Sequence, residues 1–374
     1  MRSICRRSYL KFLESTRFQN KCNSSMPLSF SDFNIEDMNI KIKQAALNLD
    51  YISDIKVNDY IKSVYNNLEY YSLNSIRPEK INSIKLSTKL FDAGISDLKQ
   101  LFKKISQFSN IEQAEISIES DIRFYNNNNI RKLKELGVNR LSILIYTFDN
   151  ENRKLLGLKG DGKSIQKIIR NLISEGFRNI NIQLMYDFNG QKIETLQRDM
   201  NIISNLDISG FKLIKSENGK NSIENFAIVT KLAREVCYEY QSLDSMVRAC
   251  RDKDIYNNCI KCNQNILPLG HGTLGCINKM RIENWSNEKE NKIVVRKIRC
   301  NCMKDLCSIE SDVNKLNISL SKYDNLEKIN QLVKELINED FLVEVDEKLS
   351  FTDKGIYWAD KIEEQFKEAI LAYK

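Results

Sequence analysis

The chain is expected to be an α/β protein: a partial TIM-type (β/α) barrel with parallel strands, followed by a winged-helix-like C-terminal helical domain. Three observations predict this. From about residue 80 to 240, short runs rich in Ile, Leu and Val alternate with amphipathic helical runs. The stretches between those runs are long enough for helical crossovers, which join parallel strands. The last fifty residues, 325–374, read helix, hairpin, helix.

In chain order, "MNIKIK" (38–43) is the expected first strand and "DYIKSVYNNLEYY" its helix. Five strand–helix pairs follow. They are "INSIKLS" with "DLKQLFKKISQF", "AEISIE" with "NIRKLKELG", "NRLSILIY" with "KSIQKIIRNLISEG", "NINIQLMY" with "ETLQRDMNIISNL", and "GFKLIK" with "SIENFAIVTKLAREV". Gly137 and Gly176 stand where a helix ends in a left-handed residue. A barrel of this kind carries its site at the C-terminal ends of the strands. Beyond it, "NKMRIENW" and "NKIVVRKI" form a candidate hairpin. "LEKINQLVKELI", "FLVEVDEKLSFT" and "IYWADKIEEQFKEAIL" supply the closing helix, hairpin and helix. The expected divisions are a basic arm (1–35), the barrel (36–242), a Cys-rich irregular region with a glycine turn (243–310) and the winged-helix-like domain (311–374).

Of the 374 residues, 42% are hydrophobic and 29% charged, as in soluble proteins with a sizeable core. No uninterrupted apolar run approaches ~18 residues, so no transmembrane helix is expected. The N-terminus lacks the continuous apolar core of a secretory signal, and a cytoplasmic location is the expectation. The net charge of +7 is uneven. Residues 1–26 carry six Lys/Arg against one acid, and residues 301–374 carry ten basic against sixteen acidic residues. A net charge of −6 on the winged-helix-like end argues against nucleic acid as a partner.

The ten cysteines cluster late. Seven lie between Cys250 and Cys307, and none between Cys22 and Cys237. A chain of this size without a secretory signal is not a disulfide scaffold. Cys259-x-x-Cys262 with Cys300-x-Cys302 offers four thiolates, and Cys307 or Cys250 could substitute. Such a set suits tetrahedral Zn or an iron–sulfur cluster; buried free thiols are the alternative.

"AEISIES…IRKLKELGVNRLSILIYTFDNENRKLLGLKG" and "EGFRNINIQLMYDFNGQ" resemble the barrel of the oxygen-independent coproporphyrinogen III oxidase family of radical SAM enzymes. The C-terminal run "LVKELINEDFLVEVDEKLSFTDKGIYWADKI" looks like that family's C-terminal domain. "ILPLGHGTLG" is similar to a glycine-rich segment of the branch that opens haem anaerobically. The resemblance implies a four-iron cluster on a C-x-x-x-C-x-x-C loop after the first strand, with SAM bound to its open iron. Here the loop after "MNIKIK" reads "QAALNLDYISD", without cysteine. The glycine-rich turn that the family uses for the methionine end of SAM reads "STKLFDAG".

Other matches are mixed. Glu119 stands at the family's SAM-contacting acid, and Arg140 and Ser142 match its N-R-x-S block. Tyr186, Gly190 and Gln191 are kept, whereas Leu144, Tyr146, Gln183 and Asn189 replace family residues. Glu119, Arg140, Ser142, Tyr186 and His271 are therefore the candidate cofactor-binding residues. Read without the family, Glu119 is a strand-end carboxylate paired with Arg123 or Arg140. His271, the chain's lone histidine, suits haem iron or a plain turn.

The expectation is a degenerate member that binds or handles haem or a related tetrapyrrole, with an active radical SAM relative as a further partner. Two alternatives stay open: a working radical SAM enzyme with its cluster relocated to the late cysteines, and a Zn-binding winged-helix interaction protein.

Overall fold

The computed structural model describes residues 41–50, 55–216, 223–249, 251–278, 280–284, 293–296, 303–319, 327–346 and 348–371. The basic arm lies outside them. The barrel runs β1 (Gln44–Leu49), α1 (Val57–Leu73), β2 (Lys80–Leu86), α2 (Ile95–Phe108), β3 (Glu115–Asp121), α3 (Asn127–Glu135), β4 (Arg140–Tyr146), a short α4 (Asn150–Leu155), α5 (Gly162–Ser174), β5 (Ile180–Tyr186), α6 (Ile193–Ser204), β6 (Gly210–Lys215) and α7 (Ile223–Glu235). Next come β7 (Tyr238–Ser242), β8 (Ser245–Arg248), α8 (Ile255–Lys261), β9 (Ile266–Pro268), β10 (Leu274–Ile277), β11 (Met280–Asn284) and β12 (Ile293–Arg296). The chain closes with α9 (Met303–Asn314), β13 (Asn317–Ser319), α10 (Glu327–Asn338), β14 (Leu342–Val345), β15 (Lys348–Phe351), α11 (Asp353–Tyr357) and α12 (Ala359–Leu371).

Among the described residues one sheet holds twelve strands, ordered β12-β11-β10-β9-β1-β2-β3-β4-β5-β6-β8-β7. Strands β1 to β6 are parallel and sequential, and β9 joins β1 in parallel. The outer strands are antiparallel. Edges at β7 and β12 make this a partial barrel, as expected from sequence. The hairpin expected over 278–298 is β11–β12. A second sheet, β13-β15-β14, forms the wing of the C-terminal unit.

The helices form where the apolar residues recur at helical spacing. In α2, Leu98, Leu101, Ile105 and Phe108 are buried; in α5, Ile165, Ile169 and Leu172. Side chains cap several N-termini. Asp161 accepts from the Lys163 and Ser164 N–H groups, and Asn126 from Asn129. Gly137 and Gly176 follow their helices at φ +71° and +97°.

The first strand differs from expectation. It is "QAALNL" (β1), not "MNIKIK", of which residues 38–40 lie outside the described residues. The alternation of "MNIKIK" imitates a half-buried strand. A parallel strand covered on both sides instead reads as a near-continuous small and apolar run, and Ala45, Ala46, Leu47 and Leu49 are all buried.

Strand alternation divides the sheet into two faces. Ile116, Ile118, Leu141, Ile143 and Ile182 join the core under the helices. The opposite face carries Ser83, Lys85, Glu115, Ser117, Glu119, Arg140, Ser142, Asn181, Gln183 and Lys212, in register across β2 to β6. The concave side of the barrel is therefore polar.

The loop after β4 is tied to α6 by Asp199, which is fully buried. Asp199 accepts from the Thr147 hydroxyl at 2.7 Å and from the Phe148 N–H at 2.9 Å. Burial, against those two bonds, raises its pKa from 3.8 to about 6. Between those values the folded chain binds more protons than the unfolded chain. Stability from this group is therefore full below about pH 4 and is lost as pH rises through 6, by up to about 3 kcal/mol. Asp199→Asn should remove that slope: in urea unfolding, the variant gains on the wild type between pH 4.5 and 7. An unchanged difference at the two pH values would contradict the assignment.

Candidate functional site

The N-terminal ends of the strands form a floor. Arg140, the first residue of β4, is 1% exposed and lies against Asp252 through two bonds, Nε–Oδ1 at 2.8 Å and Nη2–Oδ2 at 2.9 Å. Asp254 lies 3.1 Å from Nη2, and Glu115 3.9 Å from Nε. Asn179 and Asn181 also donate to Asp252, and Lys212 pairs with Asp254 at 3.2 Å. Burial opposes the charge on Arg140, but Asp254, Asp252 and Glu115 outweigh it and hold the guanidinium firmly protonated. Arg140 is thus committed to the segment that closes the floor. It stands at the first residue of β4, at the opposite end of the strands from the mouth.

Above the floor, a polar chain crosses the concave face. The Lys85 ammonium lies 3.9 Å from Glu119 Oε2, the Ser142 hydroxyl donates to the same oxygen at 3.3 Å, and Gln183 Nε2 donates to Ser142 at 3.5 Å. Glu119 and Ser142 therefore meet, as the sequence suggested. The partner of Glu119 is Lys85, not Arg123 or Arg140; Arg123 pairs with Asp121. The Lys85 side chain is only 7% exposed, so a built-in cation already faces this carboxylate. Tyr146 and Gln183, bulkier than the family's residues, are buried here.

Tyr186 does not join this group. Its ring packs 5.8 Å from Phe226 in the core beneath α7. The "STKLFDAG" segment is a 3-10 turn, Thr88–Asp92, with Leu90 and Phe91 buried. Lys132 Nζ fastens it from below, donating to the Phe91 and Ala93 carbonyls at 2.7 and 2.8 Å. Tyr146 and Asp187, at the ends of β4 and β5, sit at φ +66° and +64°. This region favours glycine, so the rim holds backbone strain.

The described cysteines of the metal set lie at the opposite end from the mouth. Glu115, the first residue of β3, accepts from the Ile255 and Tyr256 N–H groups at the start of α8. Helix α8 therefore sits under the floor. On it, Cys259 is buried with Ala46, Tyr256 and Ile266, and its Sγ donates to Gln264 Oε1 at 3.3 Å. Burial, with Cys262 and Glu115 nearby, pushes the Cys259 thiol up to about 12, so it is held as a thiol. Cys262 ends α8 and is half-buried. Cys250, Cys300 and Cys302 lie outside the described residues, as does the Cys307 side chain. Among the described residues no group of three or more His, Cys, Asp or Glu could hold a metal ion.

With β1 correctly placed, the stretch that follows it in the sequence is residues 50–56, "DYISDIK", again without cysteine; residues 51–54 lie outside the described residues. A four-iron cluster has no thiolate to bind there. The residues present do not fit that group.

"ILPLGHGTLGC" is not a bare turn. It comprises β9, a tight reversal and β10. Since β9 runs parallel to β1, the reversal stands at the mouth end of the sheet. Helix α1 holds it with a buried polar face. Tyr60 and Tyr71 donate to the Leu269 and Pro268 carbonyls, Asn67 Oδ1 accepts from the Gly270 N–H at 2.7 Å, and Ser63 Oγ accepts from the His271 N–H at 3.1 Å. Gly270 sits at φ +86°, and a Cβ there would fall 2.3 Å from the Tyr60 ring. Only glycine fits. His271 is half-buried at the tip, roughly 14 Å along the sheet from β3 and Glu119, three strand spacings away.

Sequence reasoning missed Lys85, Asp252, Asp254 and the polar face of α1. A signal for Lys85 was present: a lysine inside "SIKL", an otherwise buried strand, demands an acidic partner. Asp252 is 112 residues from Arg140, and no local pattern joins them.

Arg140→Met should cost about 3–5 kcal/mol, because it leaves Asp252, Asp254 and Glu115 buried without their guanidinium. Urea unfolding at pH 7 measures this. A loss below about 1 kcal/mol would show that the floor network is not structural.

No family model matches the chain. Anaerobilin synthase of Escherichia coli O157:H7 is 22% identical over 287 residues, covering 68% of this chain; the chain spans 64% of that protein's length. A putative haem chaperone HemW-like protein of Buchnera aphidicola is 24% identical, over 73% of this chain and 81% of its own. The haem chaperone HemW of Lactococcus lactis is 21% identical, over 83% and 89%. Coproporphyrinogen III oxidase (HemN) from Escherichia coli, a radical SAM enzyme, superposes with a TM-score of 0.70 at 15% identity, over 92% of this chain and 96% of that one. Sequence relatives and fold thus agree with the resemblance read from the sequence: the chain is similar to anaerobilin synthase and to the HemW haem chaperones, and it shares the fold of coproporphyrinogen III oxidase.

Proposed function

We propose that this chain binds or carries haem or a related tetrapyrrole and does not generate a radical. The observation that carries the reading is the composition of the mouth. The segment after β1 holds no thiolate donor, and the carboxylate matched to the SAM contact is already paired with Lys85. The relatives named haem chaperones support tetrapyrrole as the cargo. His271, held on a rigid reversal at the rim, is the candidate axial ligand, since a neutral imidazole suits haem iron.

The placement of Cys259 and Cys262 counts against a relocated cluster. It would sit under the floor, separated from the mouth by the Arg140 network. An active radical SAM relative remains a candidate partner that this chain could supply or regulate.

Titration of the purified chain with haem tests the proposal. It predicts a shifted Soret band at micromolar protein and an altered band in His271→Ala. Wild-type protein that leaves the haem spectrum unshifted would overturn it.

A further inference from the structure

Resting on that reading, we infer that Ser63 and Asn67, on the buried face of α1, are positioning residues for His271: they hold the backbone from which its imidazole reaches the iron of a bound haem.

His271 stands between two glycines in the left-handed region, Gly270 at φ +86° and Gly272 at φ +77°. Left to itself, such a reversal samples many conformations, because glycine has the widest choice of backbone angles. Here the peptide groups on both sides of His271 are held. Ser63 Oγ accepts from the His271 N–H at 3.1 Å, and the Ser63 hydroxyl in turn donates to the Tyr60 carbonyl at 2.7 Å. Asn67 Oδ1 accepts two bonds of 2.7 Å, one from the Gly270 N–H and one from Asn284 Nδ2.

Asn284 ends β11, 217 residues along the chain from Asn67. Its backbone brackets the reversal. The Asn284 carbonyl accepts from the Gly272 N–H at 2.8 Å, and the Asn284 N–H donates to the Thr273 carbonyl at 2.9 Å. The Thr273 hydroxyl closes the set on the Gly270 carbonyl at 2.7 Å. Ser63, Asn67, Thr273 and Asn284 are each 1% exposed or less.

Glycines alone suffice to reverse a chain. Buried polar side chains add a cost unless each is matched, and once matched they fix one geometry. The residue this set surrounds is His271, which is itself half-buried. A ligand residue on a backbone held in this way loses little freedom on binding, which strengthens its bond to iron.

The test is a haem titration of the full chain, read by the Soret band and the ferric spin state. Ser63→Ala removes the acceptor of the His271 N–H, and Asn67→Leu removes the acceptor shared by Gly270 and Asn284. Ser109→Ala is the control: it loses one buried hydrogen bond of 2.7 Å, to the Pro78 carbonyl, after α2. Ser63→Ala and Asn67→Leu should weaken haem binding about tenfold and move the spectrum toward that of His271→Ala. Ser109→Ala should bind as the wild type does. Ser63→Ala deletes a single oxygen, so it reports even if Asn67→Leu fails to fold. Wild-type affinity and spectrum in Ser63→Ala, with His271→Ala altered, overturns this inference alone. An unchanged spectrum in His271→Ala overturns ligation by His271 and this inference with it. Wild-type protein that binds no haem overturns both this inference and the function proposed above.

Discussion

The buried pairing of Arg140 with Asp252 is the contact on which the rest of the barrel depends. It fastens β4 to a segment more than a hundred residues later in the chain. Through Asp254, Glu115, Lys212 and two asparagines it gathers β3, β5 and β6 at the same end. A polar concave face is costly unless every charge is matched. The floor is closed in this way at the N-terminal ends of the strands.

At the mouth end, the reversal between β9 and β10 is clamped by Tyr60, Ser63, Asn67 and Tyr71 of α1, which fixes the His271 backbone. Behind α7, on the helix-covered side of the sheet, aromatic contacts from Tyr186 to Trp358 bring the C-terminal unit against the ends of β5 and β6. On the concave face, Lys85 lies 3.9 Å from Glu119. The chain keeps the shape of a radical-SAM-type barrel and satisfies its interior with its own side chains.

Most of this architecture was legible in the sequence because helix and strand periodicities are local. The five strand–helix pairs after residue 80 and the late hairpins follow directly from apolar spacing. "MNIKIK" misled because alternation marks a strand with one wet face, whereas β1 is covered on both sides. The site was only half legible. Glu119 and Ser142 meet because neighbouring parallel strands place them in register. Tyr186 falls in the core, and Arg140 is consumed by aspartates whose positions no local pattern predicts. The glycines of "ILPLGHGTLGC" announced a reversal, but its anchor is the polar face of α1, some two hundred residues earlier.

The central claim is that the barrel lacks a radical source. The most direct measurement is the iron and sulfide content, with the visible spectrum, of the chain purified anaerobically and then incubated with iron and sulfide. The account predicts no broad iron–sulfur absorption and well under one cluster per chain. A stable four-iron cluster that cleaves SAM under reductant would contradict it.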